Sequence, residues 1–168
     1  DHLAGLQDFP LSRFLALPEA YASVAQRRGL AALRRAFIPS LLPADFRSRL
    51  TLLDDFRGPE LPSLGRTLDY YGDGSLLLVR LPGHARGQLG LLAHTARGPI
   101  FFVADSCWLA RSVQENRPPS LIGGLIADDT TQLAATIARL HTFAQARPDV
   151  LIVPSHCPAT FAELATKM

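Results

Sequence analysis

The chain has 168 residues, 48% of them hydrophobic and 19% charged, with a formal net charge of +2. That length suits one domain with a real core, and the small charge argues against a nucleic-acid partner. No apolar run approaches the roughly 20 residues of a membrane span. Two cysteines, Cys107 and Cys157, are too few for a disulfide framework and fit a reducing compartment. With no signal peptide visible, a cytoplasmic location is expected. The chain opens on Asp1-His2 without an initiator Met and reads as cut.

Residues 1–9 read as a short helix or turn closed by Pro10, and Arg13–Leu17 as a short strand. Pro18-Glu19 begins a helix, since proline suits the first turn and an acid there meets the helix dipole. Gly29 breaks or kinks that helix, and a second piece carries Leu30, Leu33 and Phe37 on one side. Arg27, Arg28, Arg34 and Arg35 would share one face of any continuous helix, read as solvated. Pro39, Pro43, Pro59 and Pro62 punctuate residues 39–66, which predicts short helical turns, loops and a strand at Leu50–Leu53. Residues 19–66 are expected to form a helical insert, either a wall or lid of a pocket or a plain structural insert.

From Thr67 the pattern turns to strands. Thr67–Tyr71, Leu76–Leu81, Gln88–His94 and Ile100–Ala104 are joined by short turns, which predicts a mainly antiparallel meander. A short helix follows around Trp108–Val113. Asp128-Asp129-Thr130-Thr131 is an N-cap cluster, and Leu133, Ile137, Leu140 and Ala144 then recur at helical spacing. Val150–Val153 is a short buried strand, and Pro158–Thr166 a last helix.

Three apolar runs each deliver a metal-competent side chain just past their C-terminal end: His84, Asp105 and His156. Loops beyond strand ends converge on one edge of a sheet, where ligands commonly bind. Imidazole and carboxylate together suit zinc or another first-row divalent metal. Asp1-His2 adds one more group of each type. Cys107 and Cys157 read as small buried residues, His94 as a surface residue and His141 as a boundary residue on the long helix. Trp108 reads as a pocket wall, and Gly123-Gly124 as a loop or turn.

Here the residues resemble a known family. Asp1-His2 resembles the end of the His-x-His-x-Asp-His signature of the metallo-β-lactamase superfamily. Gly83-His84-Ala85-Arg86-Gly87 is similar to its Gly-His-Thr-x-Gly motif. Phe102–Asp105 resembles the strand that ends in the metal-bridging Asp, and Pro154-Ser155-His156 resembles the last ligand segment. Gln88 stands where many glyoxalase-II-like and lactonase-like members have a second His. Trp108 stands three residues after Asp105, where some lactonase-type members place a Tyr.

The resemblance implies an α/β (α+β) fold: a portion of an αβ/βα sandwich, with a mainly antiparallel or mixed sheet and flanking helices. Residues 1–168 would form a single domain, the C-terminal portion of that fold. It implies a site for two divalent metal ions, zinc first, with iron or manganese as alternatives. His84 would bind one, Asp1, His2 and His156 the other, and Asp105 would bridge them. A hydroxide between the metals would cleave a small ester, lactone or thioester, with Asp1 orienting it or taking its proton. The expected partner is a small molecule, with no nucleic acid and no membrane. No His-x-His pair occurs in the sequence, so His84 lacks its usual co-ligands here. Without the first strands of that fold an apolar sheet face would be exposed, so self-association or pairing with the missing N-terminal segment is expected. The alternative is a truncated or degenerate homologue without catalysis, serving as a binding or interaction module.

Overall fold

The structure, a computed structural model, describes residues 4–33, 37–118, 124 and 126–167. The chain divides into two compact units after Asp54.

The first unit is built from short pieces because proline and glycine keep interrupting it. A 3-10 turn at Ala4–Asp8 precedes strand β1 (Phe14–Ala16) and helix α1 (Pro18–Val24), with Pro18 in its first turn. Gly29, at φ 53°, opens helix α2 (Gly29–Leu33) and separates it from α1. Arg27 and Arg28 therefore lie between two helices, not on the face of one continuous helix. Arg34 and Arg35 fall outside the described residues. Helix α3 (Phe46–Arg49) leads into strand β2 (Leu50–Leu52), which pairs with β1 in parallel, Phe14 opposite Leu50. Arg49 ties this unit together. Its guanidinium donates to the carbonyls of Phe9 (2.8 Å) and Ser12 (2.9 Å), pairs with Asp45 and lies over the Phe14 ring.

The second unit carries the sheet. A small hairpin of β3 (Glu60–Leu61) and β4 (Gly65–Arg66) comes first. Five strands then form one sheet in the order β5-β6-β7-β8-β9. They are β5 (Leu68–Asp69), β6 (Leu76–Arg80), β7 (Leu89–Thr95), β8 (Gly98–Ala104) and β9 (Leu151–Pro154). The first four pair antiparallel, as their short connections require. β9 runs parallel to β8 and needs a long crossover. That crossover includes α4 (Ala110–Gln114) and α5 (Thr130–Ala146), and α6 (Pro158–Lys167) follows β9.

Helix α5 begins where its cap says it should. The Asp129 carboxylate accepts from the Gln132 backbone N–H at 2.9 Å, and the Gln132 side chain donates back to it at 2.7 Å. Those two bonds, the backbone one first, hold the Asp129 carboxyl below the usual carboxylate range. Leu133, Ile137, Leu140 and Phe143 of α5 pack against Leu77, Val79, Leu92, Phe101, Val103 and Ile152 of the sheet. Phe101 and Phe143 meet edge to face, centroids 5.5 Å apart. A Cβ at Gly90 would lie 2.6 Å from Leu81 Cδ1 and 2.9 Å from the Phe101 ring, so only glycine lets β7 approach so closely. The opposite face meets α6 through Ile100, Leu151, Val153 and Leu164. Among the described residues no helix is long and apolar enough to cross a membrane.

Candidate functional site

Each candidate side chain stands at a strand end, and each is aimed by a different local device. His84 follows β6 on a loop pressed against the first turn of α5. Gly83 makes that approach possible: its φ is 133°, and a Cβ there would fall 2.3 Å from Leu133 Cα. The backbone N–H groups of Asp128 and Asp129 donate to the carbonyls of His84 and Gly83, both at 2.9 Å. The buried Thr136 hydroxyl donates to the Pro82 carbonyl at 2.6 Å. The Arg86 N–H returns a bond to the Asp128 carboxylate at 2.9 Å.

Asp105 is aimed by backbone distortion. The pairing of β8 with β9 shifts register between Phe102 and Ala104, a bulge that turns the strand's end. Ala104 then takes φ 48°, a costly conformation for a residue with a Cβ, seen most often where function over-determines the backbone. The Ala104 carbonyl accepts from the Ser155 N–H at 3.2 Å, which ties the two strand ends together. Asp105 is buried.

His156 stands just past β9. Asp105 Oδ2 lies 3.4 Å from His84 Nε2, and its Oδ1 lies 3.4 Å from His156 Nε2. One carboxylate thus faces two imidazoles, one on each oxygen. Both separations exceed an ordinary N–H···O hydrogen bond of roughly 2.7–3.2 Å. They match the spacing of two ligands sharing a tetrahedral ion: bonds of about 2.0–2.1 Å put such ligands about 3.3–3.4 Å apart. Nitrogen and oxygen donors at that spacing fit a first-row divalent cation on either side of the carboxylate. Among the described residues alone, no group of three or more His, Cys, Asp or Glu closes as a metal cluster. Asp1 and His2 lie outside the described residues.

Trp108 is 40% exposed, and its ring meets the His156 ring edge-on with centroids 6.4 Å apart. Cys107 and Cys157 are free and buried. Burial, then the nearby Cys157 and Asp105, pushes the Cys107 thiol up to about 12, so it stays neutral. His94 is exposed, its Nδ1 2.7 Å from the Gly74 carbonyl. His141 is half-buried, its Nδ1 2.8 Å from the Val113 carbonyl, a boundary position that links α5 to α4. Both stand apart from the site as the sequence suggests. Gly123 lies outside the described residues.

The sequence reading overlooks what holds His84 in place. Asp128 and Asp129 read only as helix caps, yet their N–H groups also support the histidine loop. Thr136 offers a signal in hindsight: it is a polar residue three positions after Leu133, on the apolar side of α5.

No family model matches the chain. A segment is 39% identical over 66 residues to gamma-lactamase FDB1 of Fusarium pseudograminearum, covering 38% of this chain and 16% of that protein. Another is 28% identical over 95 residues to N-acyl homoserine lactonase AttM of Rhizobium radiobacter, covering 56% of this chain and 34% of that one. Among solved structures, an N-acyl homoserine lactone hydrolase with N-hexanoyl-L-homoserine bound at its catalytic metal centre superposes with a TM-score of 0.65 at 14% identity. That superposition covers 97% of this chain and 54% of the hydrolase, so the chain spans about half the length of the structure it matches. This chain therefore shares its fold with that lactone hydrolase, and a segment of its sequence is similar to lactonase AttM.

Proposed function

We propose that this chain carries part of the active site of a metal-dependent hydrolase that opens a lactone or cleaves a related small ester or thioester. The observation that carries the reading is the Asp105 carboxylate held 3.4 Å from His84 Nε2 on one oxygen and 3.4 Å from His156 Nε2 on the other. The fold supports it, as does the occurrence of a lactonase and a γ-lactamase among the relatives. Both of those names describe opening of a cyclic acyl compound.

In this reading His84 would hold one divalent cation, Asp1, His2 and His156 would hold a second, and Asp105 would serve both. Zinc suits these donors, and iron or manganese would also be accepted. Two bound cations would polarise the acyl carbonyl and bring the pKa of water down to about 7. The chain's own residues supply the rest. Asp1 orients the attacking water or takes its proton. Trp108 lines the substrate side next to His156.

The test is elemental analysis with a lactone assay. Zinc-loaded protein should carry about two ions per chain, and Asp105→Ala should lose both together, with hydrolysis falling to background. A wild-type chain that takes up no metal after zinc loading, or an Asp105→Ala variant with full metal content, would overturn the reading.

A further inference from the structure

One bond in the second unit joins the loop of His84 to the turn of Asp105 away from the facing side chains themselves. Gln88 closes the histidine loop: its carbonyl accepts from the Leu81 N–H at 3.0 Å, and its own N–H donates to Ala85 at 3.2 Å. Its side-chain amide reaches out of that loop and donates to the Ser106 hydroxyl at 2.6 Å. Ser106 is wholly buried and directly follows Asp105. Its backbone N–H donates to Val103 at 3.2 Å in the turn that carries Asp105. The two partners are 18 residues apart in sequence, so only the fold brings them together.

We propose that Gln88 is a positioning residue: its amide latches the His84 loop to the Asp105 turn and so sets the separation of His84 from Asp105. The latch is buried at the Ser106 end, where a broken hydrogen bond has no solvent to replace it. Its consequence for metal affinity rests on the metal-site reading above; its consequence for the loop does not. Outer contacts of this kind typically change metal affinity by 10–100-fold when removed.

The test uses the full chain, Co(II) as the metal, and two measurements. Gln88→Leu and Ser106→Ala should each weaken Co(II) binding about 10-fold or more and alter its visible spectrum. The double variant should lose no more than the worse single, because all three remove the same bond. Gln88→Glu should recover affinity and spectrum, since its carboxylate can accept from the Ser106 hydroxyl. In metal-free protein, amide exchange over residues 83–88 should speed up in both single variants and recover in Gln88→Glu. Slow exchange across Leu89–Thr95 serves as the check that each variant is folded. If Ser106→Ala fails that check, the Gln88 pair decides the question. Wild-type exchange in Gln88→Leu, or losses of affinity that multiply in the double variant, would overturn the latch. A wild-type chain that binds no Co(II) but shows the expected exchange pattern would sink the metal reading and leave the latch standing.

Discussion

The two histidines that face Asp105 are held in opposite ways. His84 is 18% exposed, and its loop is fastened to a helix by the N–H groups of Asp128 and Asp129 and the hydroxyl of Thr136. His156 is 57% exposed at the tip of a strand. Its neighbours bond mainly within their own turn: Thr160 and Phe161 donate to the Cys157 carbonyl. The Ser155 N–H to Ala104 and the Ala110 N–H to the Cys157 sulfur reach outside it. One arm of the site is therefore preorganised by tertiary contact, while the other keeps an open face. The site proposed above would need both, to hold reacting groups still and yet admit a substrate.

The sharpest way to break this contrast is Gly83→Ala. A Cβ at 2.3 Å from Leu133 Cα and a φ of 133° leave no room for any side chain. The expected loss is about 3–5 kcal/mol, the sum of overpacking and backbone strain, measured by urea denaturation. Wild-type stability in that variant would mean the His84 arm is not packed as described. Thr136→Val is the next test. It keeps the shape but removes the donor to Pro82, and should cost about 1–3 kcal/mol in the same measurement.

The smallest effect is a change in pH dependence. Asp129 titrates below its ordinary value in the folded chain because it caps α5. The unfolded state then binds more protons in that range, so stability rises with pH there. The cap's contribution is complete above the ordinary carboxylate pKa and disappears as pH falls through the depressed folded value. Asp129→Asn keeps a cap but cannot titrate, so its thermal melts should be flatter than wild type between about pH 5 and pH 2. An unchanged acid slope would show that Asp129 does not contribute through its charge.

Much of the framework is legible in the residues themselves. The meander from Thr67 to Ala104, the cap at Asp129 and the apolar stripe of α5 are local patterns, and local patterns carry the period of a strand or helix. The ends of the elements are less legible. The short helix expected from Trp108 begins at Ala110, which leaves Trp108 in the approach beside His156. Gly29 marks a break in the first unit, but only its left-handed backbone shows that Arg27 and Arg28 leave the helix altogether.

The sequence by itself determined which metal-competent side chains stand at strand ends: His84, Asp105 and His156 follow strand-forming runs that stop just before them. Only the tertiary structure decided that Asp105 lies between the two imidazoles at 3.4 Å on each side. The same holds for the Asp128 and Asp129 amides that brace His84, and for the Gln88 amide that reaches Ser106. The reason is physical. Side-chain periodicity is set by neighbours a few residues away, whereas these contacts depend on a parallel crossover and on how one helix packs across the sheet.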